Sequence, residues 1–380
     1  MKYVCEKDLC TACRACVEKC PVNAIKIEDK LKSYNAVIDE KTCIECNACR
    51  RVCQNKSEIE KKEPISWYQG WANDNKIRLN STSGGFATAI LKGFIQENGV
   101  VCSCIYDKGD FCFRLTDNIE DVDKYSGSKY VKSNPQMIYK KIQKLLTNKI
   151  KVLFLGLPCQ VEAVKKYVGK KDFENLYTVD LICHGTPSLQ MLNIFMQKCG
   201  LDINDLSEIR FRTKMDLDNY KSIEINGIED AYTFAFLKGL TFSECCYSCQ
   251  FAGIARPSDL TIGDSWGSTL PETEKNKGLS LALCQTIKGE RLLQMADLYL
   301  TDVDSTQAIN SNSQLKNAMK KKPEREVFVR YLEMGKSFQD AMFLVFPQTV
   351  IKQKMKKLLI KSRFLRGMNS QYRILYKTKK

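Results

Sequence analysis

Histidine is almost missing from this 380-residue chain, which has one, His184. That scarcity argues against imidazole-built zinc sites and against Ser–His or Cys–His nucleophilic catalysis, unless the single ring serves. Long apolar runs are missing too: none approaches the ~20 residues of a membrane helix, and "KVLFLGLP" reads as a buried strand. The opening "MKYVCEKDLC" has no apolar core of a secretion signal, so the expectation is a cytoplasmic protein. Acidic residues are absent from positions 351–380, which hold eight Lys and three Arg. That stretch therefore carries +11 of the net +15, and the other 350 residues carry only +4. Its basic and apolar residues recur at roughly helical spacing. A basic amphipathic helix suits an anionic surface or an acidic protein, so peripheral contact with the inner membrane face is expected. No nucleic-acid partner is expected, because no recognition fold accompanies the charge. An apolar share of 44% is ordinary for a packed core, and the length suggests two or three domains.

Cysteine, by contrast, is abundant: nineteen, without a secretion signal. In a reducing compartment such density points to metal or redox chemistry rather than disulfides. "CTACRACVEKCP" places Cys10, Cys13, Cys16 and Cys20 ahead of Pro21, and "CIECNACRRVC" repeats the spacing at Cys43, Cys46, Cys49 and Cys53. Three cysteines at CxxCxxC wrap three corners of a [4Fe–4S] cube, and the fourth ligand comes from the other run. This crossing assigns Cys10, Cys13, Cys16 and Cys53 to one cluster, and Cys43, Cys46, Cys49 and Cys20 to a second. Zinc is the alternative, but it needs neither the third cysteine of each run nor the repeat. Gln54 stands after Cys53 where the first run has proline. Cys5, outside both runs, reads as a packed thiol. "AIKIED" and "NAVID" between the runs predict a hairpin.

Further along, "STSGGFATAILKGFIQENG" predicts a helix with Ser or Thr at its N-cap, ending at Gly99. Small residues with free N–H groups at a helix start suit an anion, although a plain cap reads equally from the motif alone. "GVVCSCIY" and "FCFRLT" predict a strand pair, with Cys102, Cys104 and Cys112 as small packed thiols. Two strand–turn–helix units follow, "KVLFLG" into "LPCQVEAVKKYV" and "LYTVDLIC" into "HGTPSLQMLNIFM". They put Cys159 and Cys183 at strand C-terminal ends, where α/β sheets collect ligands. Cys246 and Cys249 make a further CxxC, with Cys245 as a spare. Four thiols around one crevice suggest a third [4Fe–4S] cluster; separate inert thiols are the other reading.

In order, "STSGGF", "GSKYVKS", "GLPCQ", "ICHGTPS" and "CYSCQF…RPSDLTIGDSWG" resemble the coenzyme F420 hydrogenase/dehydrogenase beta-subunit family over about residues 65–290. The type with a fused ferredoxin domain, found among polysaccharide-biosynthesis proteins, looks most similar. The resemblance implies FAD, with Ser83, Gly84 and Gly85 at its phosphates and Ser128, Lys129 and Tyr130 nearby. Asp264 and Trp266 would close the flavin pocket, and His184 would serve as proton donor, a plain turn histidine being the alternative. The expected fold class is multidomain, α+β and α/β. It comprises a dicluster ferredoxin-like domain (1–60), an α/β flavin-binding domain in two parts (61–150 and 151–325) and a basic helical tail (326–380). The expected function is a reductase of a small organic substrate, fed by a ferredoxin or similar carrier. The alternatives are a non-catalytic electron-transfer subunit and an F420-reducing dehydrogenase beta subunit.

Overall fold

The computed structural model describes residues 1–212, 214, 221–222, 224–225, 228–352, 355 and 374–378. The first sixty residues form a small sheet of β1 (Lys2–Tyr3), β2 (Ile25–Lys30) and β3 (Ser33–Ile38), ordered β1-β3-β2. The expected hairpin is β2–β3, with Ile25 opposite Ile38. Because β3 is central, all six of its residues are buried. Each cysteine run curls into a short helix, α1 (Ala15–Lys19) or α2 (Ala48–Arg51).

The body is built on one eight-stranded sheet. Its strands are β4 (Ser66–Ala72), β5 (Val100–Asp107), β6 (Asp110–Thr116), β7 (Val152–Gly156), β8 (Leu176–Leu181), β13 (Leu260–Asp264), β14 (Ser280–Cys284) and β15 (Leu298–Asp302). They lie in the order β15-β4-β14-β13-β8-β7-β5-β6. Strands β5, β7, β8 and β13 run parallel, while β6 and β14 are antiparallel to their neighbours. Strand β7, "VLFLG", is apolar throughout because both faces are covered. Leu153 and Leu155 pack with Phe86, Ile90 and Phe94 of a helix at Phe86–Gln96. Val152 and Phe154 pack with Tyr139 and Ile142 of a helix at Ile138–Thr147 and with Val161 and Val164 of one at Pro158–Val168. With Asn75–Asn80 as α3, these three are α4, α5 and α6.

The helix after "STSGG" starts differently from expectation. Its N-cap is Gly85, with no side-chain cap and φ +95°, a conformation natural to glycine. Ser83 instead turns away, its hydroxyl donating to the Leu279 carbonyl.

A third layer carries β9 (Leu206–Arg210), β10 (Lys221–Ser222), the pair β11 (Glu224–Ile225) and β12 (Ile228–Glu229), and helices α7 (Leu189–Lys198) and α8 (Ala231–Leu237). Helices Pro323–Glu333 and Phe338–Val345 bury Phe328, Leu332, Phe338 and Met342 against it. The helix expected over 351–380 lies mostly outside the described residues. Where description resumes, residues 375–378 are a strand, β16 (Leu375–Thr378), lying between β10 and β9. Tertiary pairing there overrides the helical spacing, with Ile374 and Leu375 buried and Ile374 N–H donating to Asp230 Oδ2 at 2.8 Å. Among the described residues no helix is long and apolar enough to cross a membrane.

Candidate functional site: three thiol-lined cavities

The two cysteine runs are bent by the same device. Ala12 and Arg14 in the first, and Glu45 and Asn47 in the second, take positive φ between 52° and 61°. A non-glycine residue held there costs on the order of 1 kcal/mol, so the loops are curled against their own preference around a convex object. N–H groups aim at sulfur as they would at thiolate, Ala12 to Cys10 Sγ at 3.4 Å and Ala24 to Cys20 Sγ at 3.3 Å.

Sorting the thiols by cavity separates them into the two crossed sets. One cavity is lined by Cys10, Cys13, Cys16 and Cys53, and another by Cys20, Cys43, Cys46 and Cys49. Cys20 and Cys53, the last of each run, thus line the opposite run's cavity. Cys5, read from sequence as a packed thiol, is buried but also lines the first cavity. The two cavities differ in depth: Cys10, Cys13, Cys16 and Cys53 are all buried, whereas Cys46 is exposed. Among the described residues no three His, Cys, Asp or Glu converge as ligands of one ion do. Thiolates on four separate irons of a cube are not required to.

A third cavity, of about 240 Å³, brings together Cys159, Cys183, Cys246 and Cys249, with Cys245 and His184 on its wall. Cys159 opens α6 directly after β7, and Cys183 follows β8, so both sit at the carboxyl ends of adjacent parallel strands. Thr11 and Asn55 line both this cavity and the first. Two cations that sequence reasoning passed over also face it. Lys132 is buried; desolvation pulls its pKa down, but the thiols of Cys159, Cys246, Cys245 and Cys183 outweigh that and raise it. Arg256 is 1% exposed, and among the described residues its Nε and Nη2 have no hydrogen-bond partner. Lys132 stands in "GSKYVKS" and Arg256 in "RPSDLTIGDSWG", but only tertiary burial distinguishes them from surface charges.

The small domain is bolted to the body beside these cavities. Tyr139 Oη donates to the Cys13 carbonyl at 2.6 Å. The Glu18 carboxylate accepts the backbone N–H groups of Tyr139 and Lys140 at 3.2 and 2.5 Å, capping α5, whose own N-cap, Met137, offers no side-chain bond.

The residues expected at a flavin divide into two groups. Thr82 accepts the Ser128 N–H at 3.0 Å, which joins the SGG turn to the GSKY segment. Gly84 N–H donates to Ser280 Oγ at 2.9 Å, and Ser280 lies opposite Asp264, so this turn sits over the carboxyl end of β13. Lys129 Nζ donates to the carbonyls of Tyr125 and Ser126, and burial lowers its pKa to about 8. Tyr130 stacks on Phe236 at 4.2 Å. On the other side, Asp264 pairs with Arg212 at 2.7 Å, and that guanidinium lies 5.5 Å from the Trp266 ring, which is 43% exposed. His184, at the rim, is held below its ordinary pKa by burial, with Asp264 opposing and Arg212 adding.

Sequence reasoning also missed Lys214 and Arg78. Lys214 Nζ donates to the carbonyls of Ser83, Arg78 and Lys277, and burial brings its pKa to about 7. Arg78 is 3% exposed, ion-paired to Glu274 at 2.6 Å and stacked 4.2 Å from Trp71. Cationic groups concentrated at a glycine turn fit a diphosphate, which is the part of FAD that this observation tests.

Comparison with known proteins brings two halves of one family. Residues 67–137 match the N-terminal part, and residues 150–305 the C-terminal part, of the coenzyme F420 hydrogenase/dehydrogenase beta subunit. Residues 9–57 match a 4Fe-4S dicluster domain. One subunit of the F420H2 dehydrogenase of Methanosarcina mazei is 20% identical over 284 residues, 71% of this chain and 81% of that one. An uncharacterised protein of Methanocaldococcus jannaschii is 24% identical over 328 residues, 76% of this chain and 86% of its own. A chain of the F420-reducing [NiFe] hydrogenase complex from Methanosarcina barkeri superposes with a TM-score of 0.46 and 15% identity, covering 82% of this chain and 96% of its own.

Proposed function

The chain belongs to the coenzyme F420 hydrogenase/dehydrogenase beta-subunit family and carries a 4Fe-4S dicluster domain, and from that premise we propose that it is an iron–sulfur flavoprotein reductase. One observation carries this reading: eight N-terminal thiols part into the two crossed sets, and the inner set shares a wall with a third set in the body. In this reading Cys10, Cys13, Cys16 and Cys53 hold an inner cluster. Cys20, Cys43, Cys46 and Cys49 hold an outer one, and Cys159, Cys183, Cys246 and Cys249 hold a third. Lys132 and Arg256 offset the negative charge that four thiolates bring into a buried site. The turn at Ser83–Gly85, with Lys214 and Lys129, binds the FAD diphosphate, and Asp264, Arg212 and Trp266 border the same sheet end. FAD supplies the exchange between single electrons and pairs. His184 stands at the rim to take or return a proton. The substrate is a small organic molecule, a deazaflavin or a sugar-linked intermediate of polysaccharide synthesis, and docking at an anionic membrane belongs to the basic segment 351–380.

A second reading, an electron-transfer subunit that feeds a partner enzyme, is favoured by the name of a matched relative, which is one component of a dehydrogenase. Anaerobic purification with a cofactor inventory tests both. About twelve irons and one flavin per chain are expected. Zinc in the thiol sites, or no flavin, overturns the reading, and substrate reduction only after adding a partner selects the second.

A further inference from the structure

We infer that the outer thiol set is the port through which electrons cross to or from another molecule, and that its partner is a small one-electron carrier protein with an acidic face. The inference rests on the cluster assignment above and goes beyond it by naming the surface and the partner's chemistry.

The inner cavity adjoins the one in the body through Thr11 and Asn55, and the outer cavity shares no lining residue with either. Of the twelve thiols assigned to clusters only Cys46 is exposed, while the inner set is buried and the third set is half-buried. Electron hopping falls steeply with distance, so a carrier on the surface exchanges fastest with the outer centre, whose ligand Cys46 stands furthest into solvent.

The surface around that centre suits a charged visitor. Ile44, next to the ligand Cys43, is 60% exposed and offers a dry contact point. Lys26, Lys41, Arg50 and Arg51 are all exposed around it. Arg51 Nη1 donates to the Cys46 carbonyl at 3.0 Å, which keeps its guanidinium over the exposed ligand loop. Three acidic side chains lie on this face, and Glu40 pairs with the Met1 amine at 3.6 Å. Glu45 pairs with Lys2 at 2.8 Å, and Asp39 accepts from Thr42 and from Lys41 N–H. The face thus presents cations outward, which steers an acidic partner into a brief, small contact of the kind redox pairs make. The step is one outer-sphere electron: the carrier's centre loses one, the outer cube gains one, and no bond or proton changes hands; the reverse holds for outflow.

The test mixes anaerobically prepared full-length protein with a reduced acidic [4Fe–4S] ferredoxin in stopped flow, beside titanium(III) citrate as a protein-free reductant. For Ile44→Asp/Arg50→Glu/Arg51→Glu, the ferredoxin rate is expected to fall about tenfold or more and to lose its decline with ionic strength. The titanium rate and the iron content should stay unchanged. Equal ferredoxin rates in wild type and variant, or no reaction of wild type with the ferredoxin, would overturn the inference, as would a dimer that the substitutions split in sedimentation. Missing iron in wild type would instead sink the cluster assignment, so the two failures are distinguishable.

Discussion

Cys20 and Cys53 each close one run and line the other run's cavity. The crossing separates two outcomes that spacing alone cannot. Cys20→Ser should remove the same electron-paramagnetic signal as Cys43→Ser, with about four irons lost, while Cys53→Ser removes the signal that Cys13→Ser removes. If Cys20→Ser instead matches Cys13→Ser, each run holds its own cube. The eight cysteines that line the two N-terminal cavities were readable from sequence because their spacing is local. Lys132 and Arg256 were not, since a lysine or arginine acquires this role only from what folds around it. Lys129 carries a pH prediction on the proposed FAD reading. Burial holds its pKa at about 8, so it is charged below that and neutral above. The charged form grips a diphosphate better, so FAD affinity should be full below pH 8 and fall as pH rises through it. Lys129→Met should weaken binding about tenfold at neutral pH and flatten that decline, read by flavin fluorescence.

Helix α5 begins without a cap of its own, and Glu18, from the small domain, supplies one. Glu18→Ala should cost about 1 kcal/mol of stability, and hydrogen exchange at Tyr139 and Lys140 should quicken. Unchanged exchange there would mean that the contact holds nothing. This cap escaped the sequence because 120 residues separate its halves. Strands β5, β6, β7 and β8 of the main sheet, in contrast, were evident from their apolar stretches, whereas β4, β14 and β15 were not foreseen. The beginning of α4 shows the limit of that legibility: serine and threonine are good caps, yet Gly85 takes the position because the turn needs a left-handed residue. Strand β16 shows it again, since a basic–apolar rhythm suits a helix in isolation but pairing between β9 and β10 decides the described end.

Across the whole molecule, the third thiol set stands between the small domain and the sheet end where FAD is proposed to sit. Cys183→Ser should therefore leave both N-terminal clusters reducible by an external carrier while slowing flavin reduction by about a hundredfold or more. Fast flavin reduction in this variant would mean that electrons bypass the site. The arrangement of parallel strand ends was foreseeable, because a turn after each apolar strand puts its cysteine at the same edge. The shared wall of Thr11 and Asn55 was not, since nothing local in either segment records which face the small domain turns to the body.

The exposed corner at Cys46 also decides where damage begins. On the proposed cluster reading, dioxygen diffusing in from solvent meets the outer cube first, while the buried inner set is shielded. A briefly aired sample should lose its outermost signal ahead of the others, and the stranded inner centres could then no longer be refilled from outside. The outer cube would act as a fuse, whose loss halts the inflow of reducing equivalents before they reach dioxygen and make superoxide.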